Sequence, residues 1–378
     1  MRIGITMTTG LNCRVWEDRG TAGRELAYYD RLAEMSGNNA VLFSYPLCEN
    51  EETSLVSKYA PRLELIPVNS FLPAFRYREF LSSFLYSYFA WNKTVKCDIY
   101  RSNQTNGAWL AWMLAKKHKA PFILRMGYLW SDNLKRRSSR GWKVFTAFER
   151  FLCREADRII VPTGRIKEKI CATCEVEREK IMVISNSVNT DLFKPLKRQK
   201  KRDVLMIGRL VENKNFREAI KAVHEAGLSV TIIGQGELSQ ELKDFSHALG
   251  IDVEWISRAP NFSLPELMAE HRYFMMPSLY EGSPKALLEA MACGMTCLGS
   301  DVDGIREVIS HGRTGFLCGT DAGSIGSGLR EMVSCNNPDK IGNNARSFMC
   351  DNYGMNIAVK KEIDIYNDLL NELKGKKQ

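Results

Sequence analysis

The stretch that decides the fold is residues 276–294, which read Met-Pro-Ser-Leu-Tyr-Glu-Gly-Ser-Pro-Lys-Ala-Leu-Leu-Glu-Ala-Met-Ala-Cys-Gly. Its first residue ends an apolar run typical of a buried strand, a polar loop follows, and a helical pattern then begins. Ser283 is a favoured N-cap, Pro284 suits the first helical position, and Gly294 suits a helix C-terminus. A strand, a loop and a helix in this order form the repeating unit of parallel sheets, so the predicted fold class is α/β.

The same alternation of strand and helix patterns extends in both directions along the chain. A first series of strands is predicted over 1–7, 39–45, 62–68, 98–102, 121–126 and 158–162. A second series is predicted over 203–207, 229–233, 253–256, 273–276, 296–300 and 315–318. Residues 197–202, between the two series, are charged or polar with no apolar residue. We therefore predict two doubly wound, Rossmann-like domains facing across a cleft, with ligands at the carboxyl ends of the strands. The predicted N-terminal domain is 1–195, joined by a C-terminal helix over 355–378, and the predicted C-terminal domain is 196–354.

The composition excludes several protein classes. A chain of 378 residues is long for one hydrophobic core, and 44% hydrophobic with 26% charged residues is unlike a disordered or fibrous protein. No apolar run reaches the roughly 18 residues that a membrane span needs, and the N-terminus has no secretory signal pattern. The expected location is therefore cytoplasmic, and the 11 irregularly spaced cysteines fit free thiols better than disulfides.

The positive charge is concentrated in the first half of the chain. Residues 1–195 contain 30 Lys and Arg against 20 Asp and Glu, whereas residues 196–378 contain 23 against 24. Such asymmetry favours an anionic partner for the first half, either phospholipid or nucleic acid. The alternative is that the basic residues serve solubility alone.

Two features of the 276–294 stretch suggest a binding site for an anionic, hydroxyl-bearing ligand. The backbone N–H groups of Lys285 and Ala286 would head the predicted helix, which makes an anion site. Glu289 is the only acidic residue in the otherwise apolar stretch 286–293, where a buried carboxylate would need hydrogen-bond donors. Ligand hydroxyls could supply these donors; alternatively, Glu289 pairs with Lys285 on a solvated helix face.

A second strand–loop–helix unit, residues 204–220, contains two cations in its loop. Arg209 and Lys214 could together hold a diphosphate, although isolated loop cations are more often solvated. Asn215 and Glu218 have the spacing of a capping box at the start of the next helix. The later turn with Gly234 and Gly236 is, alone, a generic strand-to-loop signal.

Together with the segment 184–193, Ile-Ser-Asn-Ser-Val-Asn-Thr-Asp-Leu-Phe, these stretches resemble the retaining nucleotide-sugar glycosyltransferases of family 4 (glycosyl transferases group 1), which have the GT-B fold. Glu281 and Glu289, with seven residues between them, match the E-x7-E element of the family. Residues 207–210 with Lys214 match its diphosphate-binding element. Ser187 and Asn189 stand where Gly and Asp are more usual, a mild departure.

The resemblance implies transfer of a sugar from a nucleotide-sugar donor to a glycan or lipid-linked acceptor with retention of configuration, in cell-surface polysaccharide or lipopolysaccharide biosynthesis. It implies that the N-terminal domain binds the acceptor and the C-terminal domain binds the donor. It assigns catalytic roles to Glu281, Arg209 and Lys214. The implied donor-binding residues are Gly20, Gly234, Gly236, Gly282, Ser283, Pro284, Lys285, Ala286 and Glu289. It implies neither a cofactor nor a metal, since residues 301–303, Asp-Val-Asp, fall where the family has an ordinary strand–helix turn.

The first half departs more from the family pattern. Met126 stands near the position where many relatives have a histidine, and Arg125 could act on an anionic ligand in its place. Gly20 lies in a loop that could approach the donor; the alternative is a simple turn before a helix.

Two basic and aromatic stretches, 71–93 and 134–145, suggest contact with an anionic membrane surface. The alternative is that their aromatic residues are core and their charges solvated. Two other functions stay open on the sequence: a nucleotide-sugar epimerase of the same fold, and a basic nucleic-acid-binding protein. The second is disfavoured because no recognition motif is present, so no nucleic-acid partner is predicted.

Overall fold

The computed structural model describes residues 1–46, 48–68, 85, 95–129, 131 and 142–375. The chain forms two compact units: Met1–Ser185 with Ala358–Gln378, and Asn186–Ile357. Residues 71–93, apart from 85, and 134–141 lie outside the described residues, so the membrane contact predicted for them stays a prediction. Among the described helices, none combines the length and the apolar character that a bilayer span requires.

The first unit is built on a parallel sheet whose described strands run in the order β3-β2-β1-β4-β5-β6-β7. These strands are β1 (Ile3–Thr6), β2 (Ala40–Ser44), β3 (Leu63–Pro67), β4 (Ile99–Ser102), β5 (Phe122–Arg125), β6 (Arg158–Val161) and β7 (Ile181–Val183). The helices are α1 (Cys13–Asp18), α2 (Ala22–Met35), α3 (Glu49–Tyr59), α4 (Ala108–His118), α5 (Trp142–Glu155), α6 (Gly164–Cys174) and, from Ala358 onward, the C-terminal α14 (Met355–Gly375). Every residue of β1, β2 and β4 is buried, as expected for parallel strands covered on both faces.

The second unit has the strand order β10-β9-β8-β11-β12-β13, again all parallel. Its strands are β8 (Arg202–Ile207), β9 (Val230–Ile233), β10 (Val253–Ile256), β11 (His271–Met276), β12 (Thr296–Ser300) and β13 (Phe316–Cys318). Its helices are α7 (Phe216–Glu225), α8 (Ser239–Leu249), α9 (Leu264–Ala269), α10 (Lys285–Ala292), α11 (Asp303–Arg306), α12 (Ala322–Val333) and α13 (Pro338–Asn352). The two sheets confirm the predicted class of two doubly wound α/β domains. In the second sheet the strand order reverses between β8 and β11, where open sheets of this kind bind ligands.

The units divide earlier in the chain than the charged segment 197–202 suggested. Residues 186–195, predicted to end the first domain, pack in the second unit: Val188 forms a bridge with Gly354, and Phe193 is buried in the core there. The Arg346 guanidinium donates to the carbonyl of Thr190 at 2.9 Å. The chain returns to the first unit after Ile357 rather than after residue 354. The charged segment 197–202 indicates an exposed connection, but the buried Phe193 determines that the residues around it fold with the second core.

The C-terminal helix α14 is fastened to the first unit by a buried ion cluster. Glu362 is fully buried and lies 3.2 Å from a guanidinium nitrogen of each of Arg101 and Arg125. The hydroxyls of Tyr28 and Tyr366 donate to the same carboxylate. The Arg125 guanidinium, suggested for an anionic ligand, is thus paired with a carboxylate of its own chain, and its role toward a ligand stays a prediction.

Candidate active site

The residues with the strongest sequence signal meet at the carboxyl ends of β8 and β11. Lys214 ends a 3-10 turn, Glu212–Lys214, in the loop after β8, and Glu281 lies in the loop after β11. The Lys214 ammonium donates to Glu281 Oε1, and the two side chains are 18% and 12% exposed. Ser278 Oγ donates to the same carboxylate oxygen at 2.9 Å. The adjacency of β8 and β11 thus joins two loops that are distant in sequence, as the predicted site requires.

The third predicted catalytic residue, Arg209, lies at the start of the loop that carries Lys214. Arg209 is exposed, and within the described residues its guanidinium makes no hydrogen bond or ion pair. The backbone on either side of Arg209 packs closely against the turn after β9. A Cβ at Gly234 would lie 1.9 Å from the Gly208 carbonyl oxygen, and one at Gly236 would lie 2.1 Å from that of Leu210. The two glycines, predicted to bind the donor, are required by this close approach of two backbones.

Helix α10 begins one residue later than the sequence predicted. Pro284 rather than Ser283 is its N-cap, and Lys285 and Ala286 are its first two residues. The amides of Leu287 and Leu288 donate to the Pro284 carbonyl. Ser283 does not cap the helix with its side chain; its carbonyl instead accepts from Asn186 Nδ2 at 3.1 Å. The start of an eight-residue helix therefore follows directly after the loop of Glu281 and the exposed Gly282, which places its positive dipole end beside that loop.

Glu289 lies on the buried face of α10. The residue is only 2% exposed, and its Oε1 accepts a hydrogen bond from Asn261 Nδ2 at 3.0 Å. Glu289 is therefore not on a solvated helix face, as the alternative interpretation required. Sequence reasoning missed Asn261, because a single asparagine in a short turn between β10 and α9 carries no periodic signal.

The other positions that the sequence singled out are a turn glycine, a buried methionine and two aspartates beside an arginine. Gly20, in the first unit, has a φ of 69° and follows helix α1, so the structure places it in a turn between α1 and α2. Met126 is fully buried. Asp301 forms an ion pair with Arg306 at 2.6 Å, and Asp303 lies 3.9 Å from the same guanidinium. Within the described part of the chain, no group of three His, Cys, Asp or Glu side chains is placed to hold a metal ion.

Two family models match the chain, and together they span most of it. The model described as "Glycosyltransferase Family 4" matches residues 36–192, and "Glycosyl transferases group 1" matches residues 187–348. The second match contains every residue of the cluster at the ends of β8 and β11.

Curated relatives are similar over part or most of their length. The chain is 27% identical over 303 residues to the UDP-Gal:alpha-D-GlcNAc-diphosphoundecaprenol alpha-1,3-galactosyltransferase of Escherichia coli, covering 74% of this chain and 77% of the relative. It is 28% identical over 183 residues to the amylovoran biosynthesis glycosyltransferase AmsK of Erwinia amylovora, covering 43% and 44%.

Among solved structures, Anabaena Alr3699/HepE in complex with UDP matches with a TM-score of 0.77 at 15% identity, covering 97% of this chain and all of that one. A sucrose-phosphate synthase from Thermosynechococcus elongatus matches with a TM-score of 0.78 at 14% identity, covering 98% and 100%. These likenesses concern the fold, which the two share with this chain over nearly its whole length.

Proposed function

Because this chain belongs to the GT-B glycosyltransferases of family 4 and group 1, we propose that it transfers a sugar from a nucleotide-sugar donor held by the second unit to an acceptor held by the first. The observation that carries the proposal is the cluster of Lys214, Glu281 and the start of α10 at the switch point of the second sheet. These groups supply positive charge and a carboxylate side by side. That combination suits a ligand with an anionic diphosphate joined to a neutral, hydroxyl-rich sugar.

In the proposed mechanism the protein stabilises the departing diphosphate. The bond between the anomeric carbon and the diphosphate oxygen breaks, the acceptor oxygen bonds to the same carbon, and the acceptor proton passes to the departing diphosphate. Lys214, Arg209 and the dipole of α10 stabilise the negative charge that develops. Lys214 exchanges its contact with Glu281 for the donor phosphate, which frees the carboxylate to face the sugar. We expect retention of configuration through an oxocarbenium-like state, without a metal or cofactor.

Glu289 is proposed to bind the ribose of the donor. Its carboxylate is already held by Asn261, so its position is fixed before the ligand arrives. Because the carboxylate is almost wholly buried, a hydroxyl that reaches it makes a hydrogen bond in a low-dielectric environment, where such bonds are strong. The proposed donor is a UDP-sugar. UDP is bound in the Anabaena structure, and UDP-Gal is the donor named for the E. coli relative.

The acceptor proposed here is a lipid-linked glycan at a membrane surface, as the name of the E. coli relative suggests. The exposed stripe of helix α5 supports this proposal. It carries three cations and three apolar side chains and no acidic one: Lys143, Val144, Ala147, Arg150, Phe151 and Arg154. Val144 is 73% exposed and Phe151 39%. Such a face complements the anionic headgroups and the acyl boundary of a bilayer. The location that accompanies the proposal is the cytoplasmic face of the membrane.

Vesicle flotation tests the membrane part of the proposal. We expect the purified protein to float with phosphatidylglycerol-containing vesicles at low salt and not with pure phosphatidylcholine. The double variant Val144→Glu, Phe151→Glu should lose this binding, whereas Val333→Glu on helix α12, an exposed valine of the second unit, should not. Equal binding of both variants would remove α5 from the proposal.

A thermal-shift panel of UDP, GDP, ADP and dTDP with their common sugars tests the donor part. A ligand at about a hundred times its dissociation constant should stabilise the protein by roughly 2.7 kcal/mol. We expect UDP to shift wild type and to shift Lys214→Ala much less. Release of UDP that requires an added acceptor then distinguishes transfer from epimerisation, which would convert the donor alone. If no nucleotide shifts the wild-type protein, the proposed donor site is wrong.

A further inference from the structure

Asn215 lies next to Lys214 and has a role that its sequence spacing does not indicate. The capping-box prediction for Asn215 and Glu218 is wrong, because the Asn215 side chain makes no capping hydrogen bond to helix α7. Its backbone is left-handed, with φ 57° and ψ 32°. The side chain therefore points away from the amides that a capping residue would bind, and it is available for other partners.

The Asn215 amide instead connects its own loop by hydrogen bonds to two other loops at the carboxyl edge of the second sheet. Nδ2 donates to the carbonyl of Pro277 at 3.0 Å and to the carbonyl of Thr320 at 2.7 Å. Pro277 directly follows β11, and Thr320 lies just after β13. Both hydrogens of one amide group are thus used, each on a different loop, while the residue itself belongs to the loop after β8.

These hydrogen bonds bear directly on the candidate active site. Pro277 is followed by Ser278, whose hydroxyl donates to Glu281. A backbone hydrogen bond from the amide of Leu279 to the carbonyl of Asn213, at 2.9 Å, joins the same two loops. Hydrogen bonds of Asn213 and Asn215, the two neighbours of Lys214, therefore fix the position of the Lys214 loop relative to the Glu281 loop.

The residue type is well matched to this position. Left-handed backbone is adopted readily by glycine and, among residues with side chains, most often by asparagine and aspartate. Glycine offers no side-chain donor, and an aspartate carboxylate would face two carbonyl oxygens without a proton to donate. Asparagine alone of the three satisfies the backbone and both carbonyls.

From this geometry we infer that Asn215 is a positioning residue for glycosyl transfer: its amide fixes the Lys214 loop against the Glu281 loop, so that the ammonium meets the donor diphosphate. The inference rests on the proposed function of this site. Misplacement of a binding group by a fraction of an ångström is costly, because the interaction depends on alignment that is set before the ligand binds.

The test uses the full-length protein and the matched pair Asn215→Gly and Asn38→Gly. Asn38 also has a left-handed backbone, with φ 59°, but it is an exposed residue of the first unit, so it controls for the backbone change alone. Binding of UDP, and of inorganic pyrophosphate as a probe without a base, is measured by calorimetry. We expect Asn215→Gly to raise the dissociation constant about tenfold and Asn38→Gly to leave it unchanged. Asn215→Asp should be at least as impaired as Asn215→Gly.

A double-mutant cycle separates positioning from general stabilisation. If Asn215 acts through Lys214, adding Asn215→Gly to Lys214→Ala should change the dissociation constant by less than about twofold, since the group being positioned is already absent. Melting temperatures accompany each measurement to show that every variant is folded. Equal effects of Asn215→Gly in the two backgrounds would show a merely structural role and overturn the inference.

The outcomes distinguish this inference from the proposed function. If wild type binds UDP and Asn215→Gly binds it equally well, the positioning role is wrong and the donor site stands. If wild type binds neither UDP nor pyrophosphate, the donor site is wrong, and the role assigned to Asn215 falls with it.

Discussion

At the scale of single residues, the feature that matters most is a carboxylate and an ammonium in contact where a donor should bind. Glu281 accepts from both Lys214 and Ser278, so its position is fixed by two donors on one oxygen. Such an arrangement holds both charged groups ready without a ligand, and it holds them in a place only 12 to 18% exposed. Electrostatic stabilisation of a developing charge is most effective when the groups need not reorganise.

The first prediction concerns this carboxylate. Glu281→Gln should reduce turnover at least about a hundredfold with the fold intact, because the amide keeps the shape but removes the charge that is proposed to face the sugar. Turnover is measured as UDP release in the presence of acceptor. Ser278→Ala, which removes one donor and leaves the carboxylate, should cost only about threefold. A Glu281→Gln variant with near-normal turnover would contradict the role assigned to this residue.

At the scale of elements, loop positions in the second unit are set by glycines that allow backbones to approach closely. Gly304, in helix α11, is the case that bears on the loop of Glu281. A Cβ there would lie 2.5 Å from the carbonyl oxygen of Gly282 and 2.6 Å from that of Glu281. Carbonyl oxygens of the backbone cannot rotate away as a flexible side chain can, so the loop would have to move.

The second prediction follows from this close contact. Gly304→Ala should displace the loop of Glu281 and lower kcat about tenfold, while the unfolding free energy falls by about 1–3 kcal/mol. Gly164→Ala is the matched control, since the space around a Cβ at Gly164 is open. Steady-state kinetics and denaturant unfolding of both variants check the prediction. Equal kinetics for Gly304→Ala and the control would show that the loop tolerates the shift.

The C-terminal helix α14 depends on one buried carboxylate. Burial by itself would raise the pKa of Glu362, but Arg101, Arg125 and two tyrosine hydroxyls outweigh burial and hold that pKa below its ordinary value. The cluster contains two cations and one anion, so removing the anion leaves the buried Arg101 and the partly buried Arg125 without this carboxylate partner. Breaking a buried ion pair in this way is far more costly than breaking an exposed one.

The third prediction is that Glu362→Gln destabilises the first unit by about 3–5 kcal/mol. The control is Glu372→Gln on the same helix, which breaks the more exposed ion pair with Arg158 and should cost at most about 1 kcal/mol. Denaturant unfolding monitored by near-ultraviolet circular dichroism measures both. Similar losses for the two variants would show that the cluster does not fasten the helix.

The Glu362 carboxylate should also make the free energy of unfolding depend on pH in the acid range. A carboxyl group with a lowered folded-state pKa adds stability above its unfolded pKa of about 4.3 and loses it as pH falls through the folded value. The contribution of Glu362 should therefore be complete at neutral pH and decline only below about pH 4.3. In Glu362→Gln that part of the acid dependence should be missing.

At the scale of the whole molecule, the chain leaves its first unit after Ser185 and returns to it at Ala358. The returning segment is part of the core of that unit, since Val359, Tyr366 and Leu369 are buried there together with Glu362. The integrity of the first unit therefore depends on a segment that follows the second unit along the chain.

The fourth prediction tests this arrangement. A chain ending at Ile357 should lose hydrogen-exchange protection in β4 and β5, while β8 and β11 keep theirs, because only the first unit loses a core helix. Exchange measured by mass spectrometry resolves the strands separately. Unchanged protection in β4 and β5 would show that the helix is not part of their cooperative unit.

Most of the strands could be predicted because a parallel strand covered on both faces is a short, continuous apolar run between polar loops. The predicted strands over 253–256 and 296–300 coincide with β10 and β12, and the other predicted strands agree to within a few residues, whereas β7 is in neither predicted series. The contact between Lys214 and Glu281 could be anticipated only through a family resemblance, since the two residues are 67 positions apart. The spacing of Asn215 and Glu218 predicted a capping box that the structure lacks, and nothing in the sequence indicated the contact of Asn261 with Glu289, because a single amide can cap, turn or bridge depending on what lies beside it.

The sequence by itself determined the fold class, the alternation of strands and helices, and the loops in which the chemistry lies. These are local properties, since periodicity records which side of each segment is buried. Only the tertiary structure decided that residues 186–195 fold with the second unit, that Arg125 is engaged by Glu362, and that Asn215 bridges three loops rather than capping a helix. Each of these depends on which strands become neighbours, and so on contacts between groups whose separation along the chain carries no repeating pattern.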